Sequence, residues 1–257
     1  MRLWSPFLLL LMLAQPARSG EITVAAAADL TFCMPQIDAA FQKANPGAVV
    51  KVSFGSSGNF FSQIRSGAPF DVFLSADSQY PHDLAKDGLA DTPITYAEGR
   101  LVLWTMDAGL ELSHGLSALR DPAIKHIAIA NPDHAPYGRA AKAALEHEHL
   151  WDELKPKFVF GENIAQTAQF VQTGNAGAGL VAMSLVVAQP PERAGHFYEI
   201  PGDAYPPLEQ AAALTGVGRG KPLARAYIEF LKSNTARQIL MQFGFHEPAP
   251  LTQTGTP

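Results

Sequence analysis

The chain repeats one local pattern four times: an apolar, strand-like run ends in a turn of small polar residues, and a helical pattern follows. The turns are Ala28-Asp29, Gly55-Ser56-Ser57-Gly58, Ala135-Pro136-Tyr137-Gly138 and Asn163-Ile164-Ala165. In such a junction the first N–H groups of the helix lack partners within it, and the positive end of the helix dipole faces outward. Two junctions fall in each half of the chain, so the pattern predicts a clamp for an anion.

The alternation of strands and helices favours mainly parallel sheets with crossover helices, and hence an α/β fold. Apolar runs predict strands over 21–27, 49–54, 71–75, 101–104, 127–130, 158–160, 180–182 and 211–214. Helical patterns cover 138–150 and 165–172, and 223–243 is typical of one or two closing helices. Asp29 is a candidate N-cap for the helix that follows the first strand.

The first 19 residues have the layout of a cleavable signal peptide. Arg2 precedes an apolar block over 7–14, and Ala17-Arg18-Ser19 offers a small-x-small cleavage site before Gly20. The block is too short to span a bilayer, although an uncleaved anchor is the alternative. We therefore expect an exported, periplasmic protein.

The mature chain is acidic. Loss of the leader removes Arg2 and Arg18 and leaves 17 basic and 24 acidic residues, a net charge of −7. Such a charge disfavours nucleic acid and anionic membranes as partners, so an anionic ligand must be attracted locally by oriented dipoles. The single cysteine, Cys33, forms no internal disulfide.

About 238 mature residues suffice for two lobes, each with its own core. The strand-helix pattern resumes after Glu98-Gly99. We expect lobe I to comprise 20–98 and 213–257, and lobe II to comprise 99–212, after the signal peptide at 1–19.

Six stretches resemble, in order, those of one family, the periplasmic substrate-binding proteins of molybdate/tungstate ABC transporters. They are 22–30 (ITVAAAADL), 54–60 (FGSSGNF), 63–77 (QIRSGAPFDVFLSAD), 99–104 (GRLVLW), 131–138 (NPDHAPYG) and 179–184 (GLVAMS). Each alone is weak evidence, but the ordered set spans nearly the whole mature chain. The resemblance implies a two-lobed type II periplasmic-binding fold with the ligand cleft between the lobes.

The resemblance also implies how the ligand is held. Lobe I would offer the Ala28-Asp29 turn and Ser57, with Ser56 beside it, and lobe II would offer Tyr137 and the backbone N–H of Ile164. Some family members carry a tyrosine where this chain has Ala182, so Tyr137 is expected to be the single phenolic donor. The resemblance implies no separate metal-ion site. Molybdenum or tungsten would be bound only as part of the oxyanion, which would contact Asp29, Ser57, Tyr137 and Ile164.

The resemblance further implies a monomeric carrier rather than an enzyme, with no cofactor. It would capture molybdate or tungstate and deliver it to a membrane permease driven by a cytoplasmic ATPase. Size would separate these anions from sulfate, because all three share charge and shape.

Asp29 departs from the family, whose members carry serine or asparagine there. At about 4 Å and an effective dielectric near 20, a carboxylate facing a dianion is repelled by about 8 kcal/mol. Two explanations are open: Asp29 caps its own helix while its N–H serves the anion, or the site does not bind a dianion. We expect the capping arrangement.

Two alternative functions remain at this stage. One is a protein of the same fold for sulfate, phosphate or a small carboxylate. The other is an exported hydrolase that uses Ser57 with His134, although Asn59 breaks the Gly-x-Ser-x-Gly elbow. Arg65 and Arg139 are expected at the rim of the cleft.

The pair His147 and His149 is expected on a solvated helix face rather than in a metal site. Residues two apart on a helix point to different faces and so cannot chelate one ion together.

Overall fold

The structure, a computed structural model, describes residues 20–248. The predicted signal peptide over 1–19 lies outside the described residues. The strands are β1 (Gly20–Ala27), β2 (Ala48–Gly55), β3 (Val72–Ser75), β4 (Ile94–Gly99), β5 (Leu101–Thr105), β6 (Ile127–Ala130), β7 (Phe158–Gly161), β8 (Ala178–Ala182), β9 (His196–Glu199) and β10 (Leu208–Leu214).

The α-helices of the described chain are α1 (Met34–Ala44), α2 (Ser57–Arg65), α3 (Gln79–Lys86), α4 (Pro136–His147), α5 (Trp151–Leu154), α6 (Ile164–Gln172), α7 (Met183–Val187), α8 (Pro222–Leu231) and α9 (Asn234–Gln242). Within residues 20–248, none of them combines the length and the apolar composition that a membrane crossing requires.

The strands form two five-stranded sheets, in the orders β2-β1-β3-β10-β4 and β7-β6-β8-β5-β9. We call each sheet with its flanking helices lobe I and lobe II, in that order. The predicted two-lobed α/β fold is confirmed, but each sheet is mixed rather than mainly parallel. β10 and β5 pair antiparallel with both of their neighbours.

The antiparallel strands follow from how the chain passes between the lobes. The parallel strands β1, β2 and β3 end at the edge of lobe I that faces lobe II, and β6, β7 and β8 end at the opposing edge. A strand that arrives from the other lobe starts at that edge and must run the opposite way. Accordingly Leu101, the first residue of β5, pairs with Ala182, the last of β8.

Lobe I buries both faces of β1, an interior strand of its sheet, which is why β1 is a mostly apolar run. Ile22 and Val24 pack into the cluster that includes residues of α1 and α8. Ala25 points to the other face, where it joins Phe60 of α2 and Phe73 of β3. The end of β1 is thereby fixed between two helical layers.

The chain crosses between lobes twice, at Arg100 and through residues 200–207. The predicted limit at 98/99 falls at the end of β4. The predicted limit at 213 falls inside β10, all of whose residues 208–214 pair with β3 or β4. The lobe limits stay a prediction, and the strand pairing favours a second limit before residue 208.

Element ends differ from the predictions where polar residues or proline interrupt the pattern. β10 begins at Leu208 rather than 211, because the buried Gln210 breaks the apolar run. α4 begins at Pro136 rather than 138, since proline is suited to the first helical turn. β4 and β9 lack a strong apolar pattern and were not predicted.

Substitution of Gly218, which lies just before α8, tests how closely this part of lobe I is packed. A Cβ there would collide with the backbone carbonyl of Asp71, whereas one at Gly220 would meet nothing within 4 Å. We expect Gly218→Ala to lower the free energy of unfolding by about 1–3 kcal/mol, as other overpacking changes do. Gly220→Ala is the matched control, with a change within about 0.5 kcal/mol. Urea unfolding measures both, and equal stabilities would contradict the packing.

Candidate ligand-binding site between the lobes

The four predicted junctions meet at one narrow cavity between the lobes. Its lining consists of Ala27, Ala28, Asp29, Gly55, Ser56, Ser57, Ala76, Ala135, Pro136, Tyr137 and Ile164. All six residues that the sequence singled out for the ligand are therefore brought together: Ala28, Asp29, Ser56, Ser57, Tyr137 and Ile164. Their roles in binding stay a prediction.

Helix starts dominate this lining. α2, α4 and α6 begin at Ser57, Pro136 and Ile164, and each first turn borders the cavity. The lining residues carry no lysine, arginine or histidine side chain. Positive potential in the cavity therefore comes from backbone N–H groups and helix dipoles, which is an arrangement suited to a desolvated anion.

The Ser57 hydroxyl is oriented by its neighbour in lobe I. Its Oγ accepts a hydrogen bond from the backbone N–H of Ala76 at 3.0 Å, and the residue is 1% exposed. A hydroxyl that accepts one bond still has its own proton to donate. Ser57 is thus placed to donate to a ligand in the cavity.

The Ser56 hydroxyl has a different role. Its Oγ donates to the backbone carbonyl of His134 at 2.8 Å and also lies 2.8 Å from His134 Nδ1. Because Ser56 belongs to lobe I and His134 to lobe II, this contact joins the lobes. The pair of Ser57 with His134, on which a hydrolase would depend, is not formed, since the imidazole contacts Ser56 instead.

Further polar contacts hold the lobes together around the cavity. The N–H of Gly58 donates to the His134 carbonyl at 2.9 Å, and Asn59 Nδ2 donates to Glu162 Oε1 at 2.5 Å. Ser184 Oγ in lobe II donates to the backbone carbonyl of Asp29 at 2.7 Å. The cavity is therefore closed by direct contacts between its two walls.

The two arginines that the sequence assigned to the rim differ in position. Arg139 of α4 pairs with Asp77 of lobe I and donates to the Tyr80 hydroxyl at 3.1 Å, so it bridges the lobes beside the cavity. Arg65 lies at the far end of α2, where it pairs with Asp87 at 3.2 Å. Arg139 is at the rim, and Arg65 is not.

The Asp29 side chain does not cap the following helix, contrary to the prediction. A 3-10 turn over Ala28–Leu30 separates β1 from α1, whose N-cap is Cys33 without a side-chain bond. Asp29 Oδ2 instead accepts a hydrogen bond at 2.8 Å from Nε2 of Gln210 on β10. The carboxyl therefore lies 1% exposed at the wall of the cavity.

Burial changes the acidity of this carboxyl. Desolvation raises the pKa of Asp29 to about 7, against the opposing effect of the nearby Tyr137 hydroxyl and Gln210 amide. Burial and the neighbouring Asp29 raise the pKa of Tyr137 well above its ordinary value, so this phenol keeps its proton. Among the described residues, Asp29 Oδ1 and the Tyr137 hydroxyl are buried without a hydrogen-bond partner.

Gly99 makes room for this group of polar side chains. A Cβ at Gly99 would collide with the Tyr137 hydroxyl and would lie 3.0 Å from Gln210 Nε2. The last residue of β4 must therefore be glycine if the phenol is to lie there. Ala182, which takes the place of the tyrosine found in some family members, ends β8 and is absent from the lining.

Sequence reasoning missed Gln210 and Ser184, the two residues that hold Asp29. Gln210 lies in a strand that continues as three alanines, and a buried polar residue in such a run is a usable signal. Ser184 follows β8 without a comparable signal. In the part of the chain that the structure describes, no three His, Cys, Asp or Glu side chains are grouped to hold a metal ion.

Comparison with known proteins finds a matching family and close relatives. A profile of the bacterial extracellular solute-binding proteins matches residues 22–246. The chain is 42% identical over 236 residues to the molybdate-binding protein ModA of Azotobacter vinelandii, covering 91% of this chain and 93% of that protein. Identity to ModA of Rhodobacter capsulatus is 39% over 239 residues, with 92% of each chain covered.

A solved structure gives the same result. The periplasmic molybdate-binding protein of Azotobacter vinelandii superposes on this chain with a TM-score of 0.83 at 33% identity. The superposition covers 89% of this chain and all of that one.

The raised pKa of Asp29 predicts how stability depends on pH. Between about pH 4 and pH 7 the native carboxyl holds a proton that the unfolded one has lost, so its contribution to stability falls as pH rises. Relative to Asp29→Asn, the wild type should lose on the order of 2–3 kcal/mol between pH 5 and pH 8. Half-buried Asp38, whose pKa is raised to about 6, is present in both proteins, so its effect cancels. Urea unfolding at both pH values measures this, and a pH-independent difference would contradict the burial.

Proposed function

Because this chain belongs to the family of bacterial extracellular solute-binding proteins, we propose that it captures molybdate, and also tungstate, outside the cytoplasm. It then delivers the anion to the permease of an ABC transporter, which a cytoplasmic ATPase drives. The observation that supports this most directly is the convergence of three helix starts and the 28–30 turn on a closed cavity without a basic side chain.

The geometry supports binding by lobe closure. In an open form the anion would meet the Ser57 hydroxyl and the first turn of α2. Rotation of lobe II would then add Tyr137 and the N–H of Ile164 and exclude water. Each donor in a dry cavity must find an acceptor, because an unsatisfied buried donor is costly. A tetrahedral oxyanion supplies four acceptors at the centre of the cavity.

Closure also gives the permease a signal. The contacts of Ser56 with His134 and of Arg139 with Asp77 exist only when the lobes meet. They stabilise the closed form and fix the relative position of the two outer surfaces. A permease that recognises both surfaces together would accept the loaded protein and reject the open one.

One observation favours a different anion as the second candidate. An ionised, buried Asp29 could accept a hydrogen bond from a ligand that carries its own proton, such as hydrogen phosphate. Molybdate and sulfate carry no such proton at neutral pH. Phosphate binding that exceeds molybdate binding would favour this candidate.

Calorimetric titration with molybdate, tungstate, sulfate and phosphate tests the proposal. We expect tight binding of the first two anions and little binding of the others. Ser57→Ala and Tyr137→Phe should each weaken molybdate binding by about 1–3 kcal/mol, as for a hydrogen bond to a charged group. Ser62→Ala on the same helix and Tyr198→Phe on β9 are matched controls that lie outside the cavity. Unchanged affinity in both site variants would reject the assignment of these donors.

Substitution of Gly58 tests whether the lobes close, without relying on a change in folding stability. A Cβ there would lie 2.6 Å from the His134 carbonyl oxygen in the other lobe and 2.7 Å from the Tyr80 hydroxyl, which can turn away. Alanine suits a helix better than glycine, so Gly58→Ala should leave the ligand-free stability unchanged or slightly raised. We expect its radius of gyration, measured by X-ray scattering, to stay at the open value when molybdate is added.

Gly220→Ala, which meets no neighbour, is the control and should compact like the wild type. Full compaction of Gly58→Ala would show that the closed form does not require the contact between α2 and the His134 carbonyl.

A further inference from the structure

The most unusual group in the cavity wall is the Asp29 carboxyl. It belongs to the turn directly after β1, it lies 1% exposed, and it borders the same space as the Ser57 hydroxyl and the start of α6. A donor would be expected at this position if the ligand is an anion, but an ionised carboxylate only accepts. The residue therefore conflicts with an anionic ligand unless it carries a proton.

The hydrogen bonds of Asp29 define which oxygen is available. Gln210 Oε1 accepts from the Tyr96 hydroxyl at 3.3 Å, which directs the Gln210 amide nitrogen toward Asp29. That nitrogen donates to Oδ2 at 2.8 Å. Oδ1 and the Tyr137 hydroxyl make no hydrogen bond of normal geometry among the described residues, although the hydroxyl lies near enough to the carboxyl to lower its pKa. Both groups belong to residues that line the cavity. Oδ1, beside the Tyr137 hydroxyl, is thus the carboxyl oxygen that a ligand would meet.

The side chains packed around Asp29 supply no positive charge. The titratable ones that face it are Tyr137 of α4, Tyr96 of β4 and Cys33 before α1. Burial raises the pKa of all three well above their ordinary values, so they stay neutral. From the other lobe, Ile164 of α6 and Ser184 of α7 lie at this turn, and neither titrates. β2 presents its glycine, Gly55, to the cavity.

Arg139, the basic residue at the rim, is already paired with Asp77. An ionised Asp29 would therefore face a dianion with no cation between them. Protonation removes this repulsion and converts Oδ1 from an acceptor into a donor, so one proton resolves both the charge conflict and the missing hydrogen bond.

We propose that Asp29 enters the bound complex as the neutral acid and donates a hydrogen bond from Oδ1 to the oxyanion, so that each dianion is captured together with one proton. This inference rests on the proposed function, because it concerns the same cavity and the same class of ligand. The balance is simple: one dianion and one proton from solution enter, and both leave on release. The raised pKa of the carboxyl in the closed structure agrees with this arrangement.

The proposal predicts a definite pH dependence. Above pH 7.5 the free protein has an ionised Asp29, and binding must take a proton from solution. The Kd for molybdate should then rise about tenfold for each pH unit up to pH 9. Calorimetry at pH 8 in two buffers of different ionisation enthalpy should detect the uptake of about one proton per molybdate.

Asp29→Asn is the decisive variant, because its side-chain oxygen can accept from Gln210 while its amino group donates where the acid proton would. Its Kd should stay constant within about twofold from pH 7.5 to pH 9, and it should bind molybdate at least tenfold more tightly than the wild type at pH 9. Asp38→Asn is the matched control, since that carboxyl is partly buried and has a raised pKa, but it accepts a hydrogen bond from Tyr227 outside the cavity. It should keep the wild-type slope.

The outcomes separate this inference from the proposed function. Tight molybdate binding by the wild type with a pH-independent Kd and no proton uptake would overturn the inference and leave the function standing. A slope that persists in Asp29→Asn would also overturn it, because another group would then take up the proton. If neither the wild type nor Asp29→Asn binds molybdate at any pH from 6.5 to 9, the proposed function fails, and the inference fails with it. The pH dependence of the wild-type Kd and the proton uptake test the inference even if Asp29→Asn does not fold.

Discussion

The structure depends on one electrostatic constraint: the cavity between the lobes must keep the positive potential of the helix starts that line it. Asp29, the acidic residue in the lining, has a raised pKa and can therefore be neutral there, so it need not cancel that potential. α2 from one lobe and α4 and α6 from the other direct their first turns at the same small space, and no basic side chain lines it. Dipoles and N–H groups attract an anion only at short range, so the two walls must close on it. This explains why the site lies between the lobes, and it agrees with the proposed closure.

The mixed sheets are the framework that meets this constraint. Three parallel strands of lobe I and two of lobe II, β6 and β7, are followed by helices or turns that line the cavity, while β5 and β10 enter at the same edge after crossing from the other lobe. The crossing strands thus run beside the binding turns. Gln210 of β10 donates a hydrogen bond to the Asp29 side chain across the same edge.

Asp29 illustrates how the fold changes the chemistry of a residue type. In water an aspartate at neutral pH is an anion, and at the wall of this cavity its charge would repel the anionic ligand that the helix starts attract. Complete burial raises the pKa of the carboxyl into the neutral range, so the same side chain can act as a hydrogen-bond donor. The fold also separates the roles of two adjacent serines. The Ser57 hydroxyl accepts a bond from the Ala76 N–H and can still donate into the cavity, whereas the Ser56 hydroxyl donates to the His134 carbonyl of the other lobe.

The sequence by itself determined the four junctions and the α/β class, because strand and helix patterns and turn residues act over a few neighbouring positions. The six residues around the cavity followed from the resemblance of the sequence to the molybdate/tungstate-binding family. It did not determine the direction of β10, the separate roles of Ser56 and Ser57, or the orientation of Asp29. Those depend on partners that are distant along the chain: 78 residues separate Ser56 from His134, and 181 separate Asp29 from Gln210. Only the folded structure brings such pairs together, and the desolvation that shifts the Asp29 pKa exists only once both lobes are packed around it.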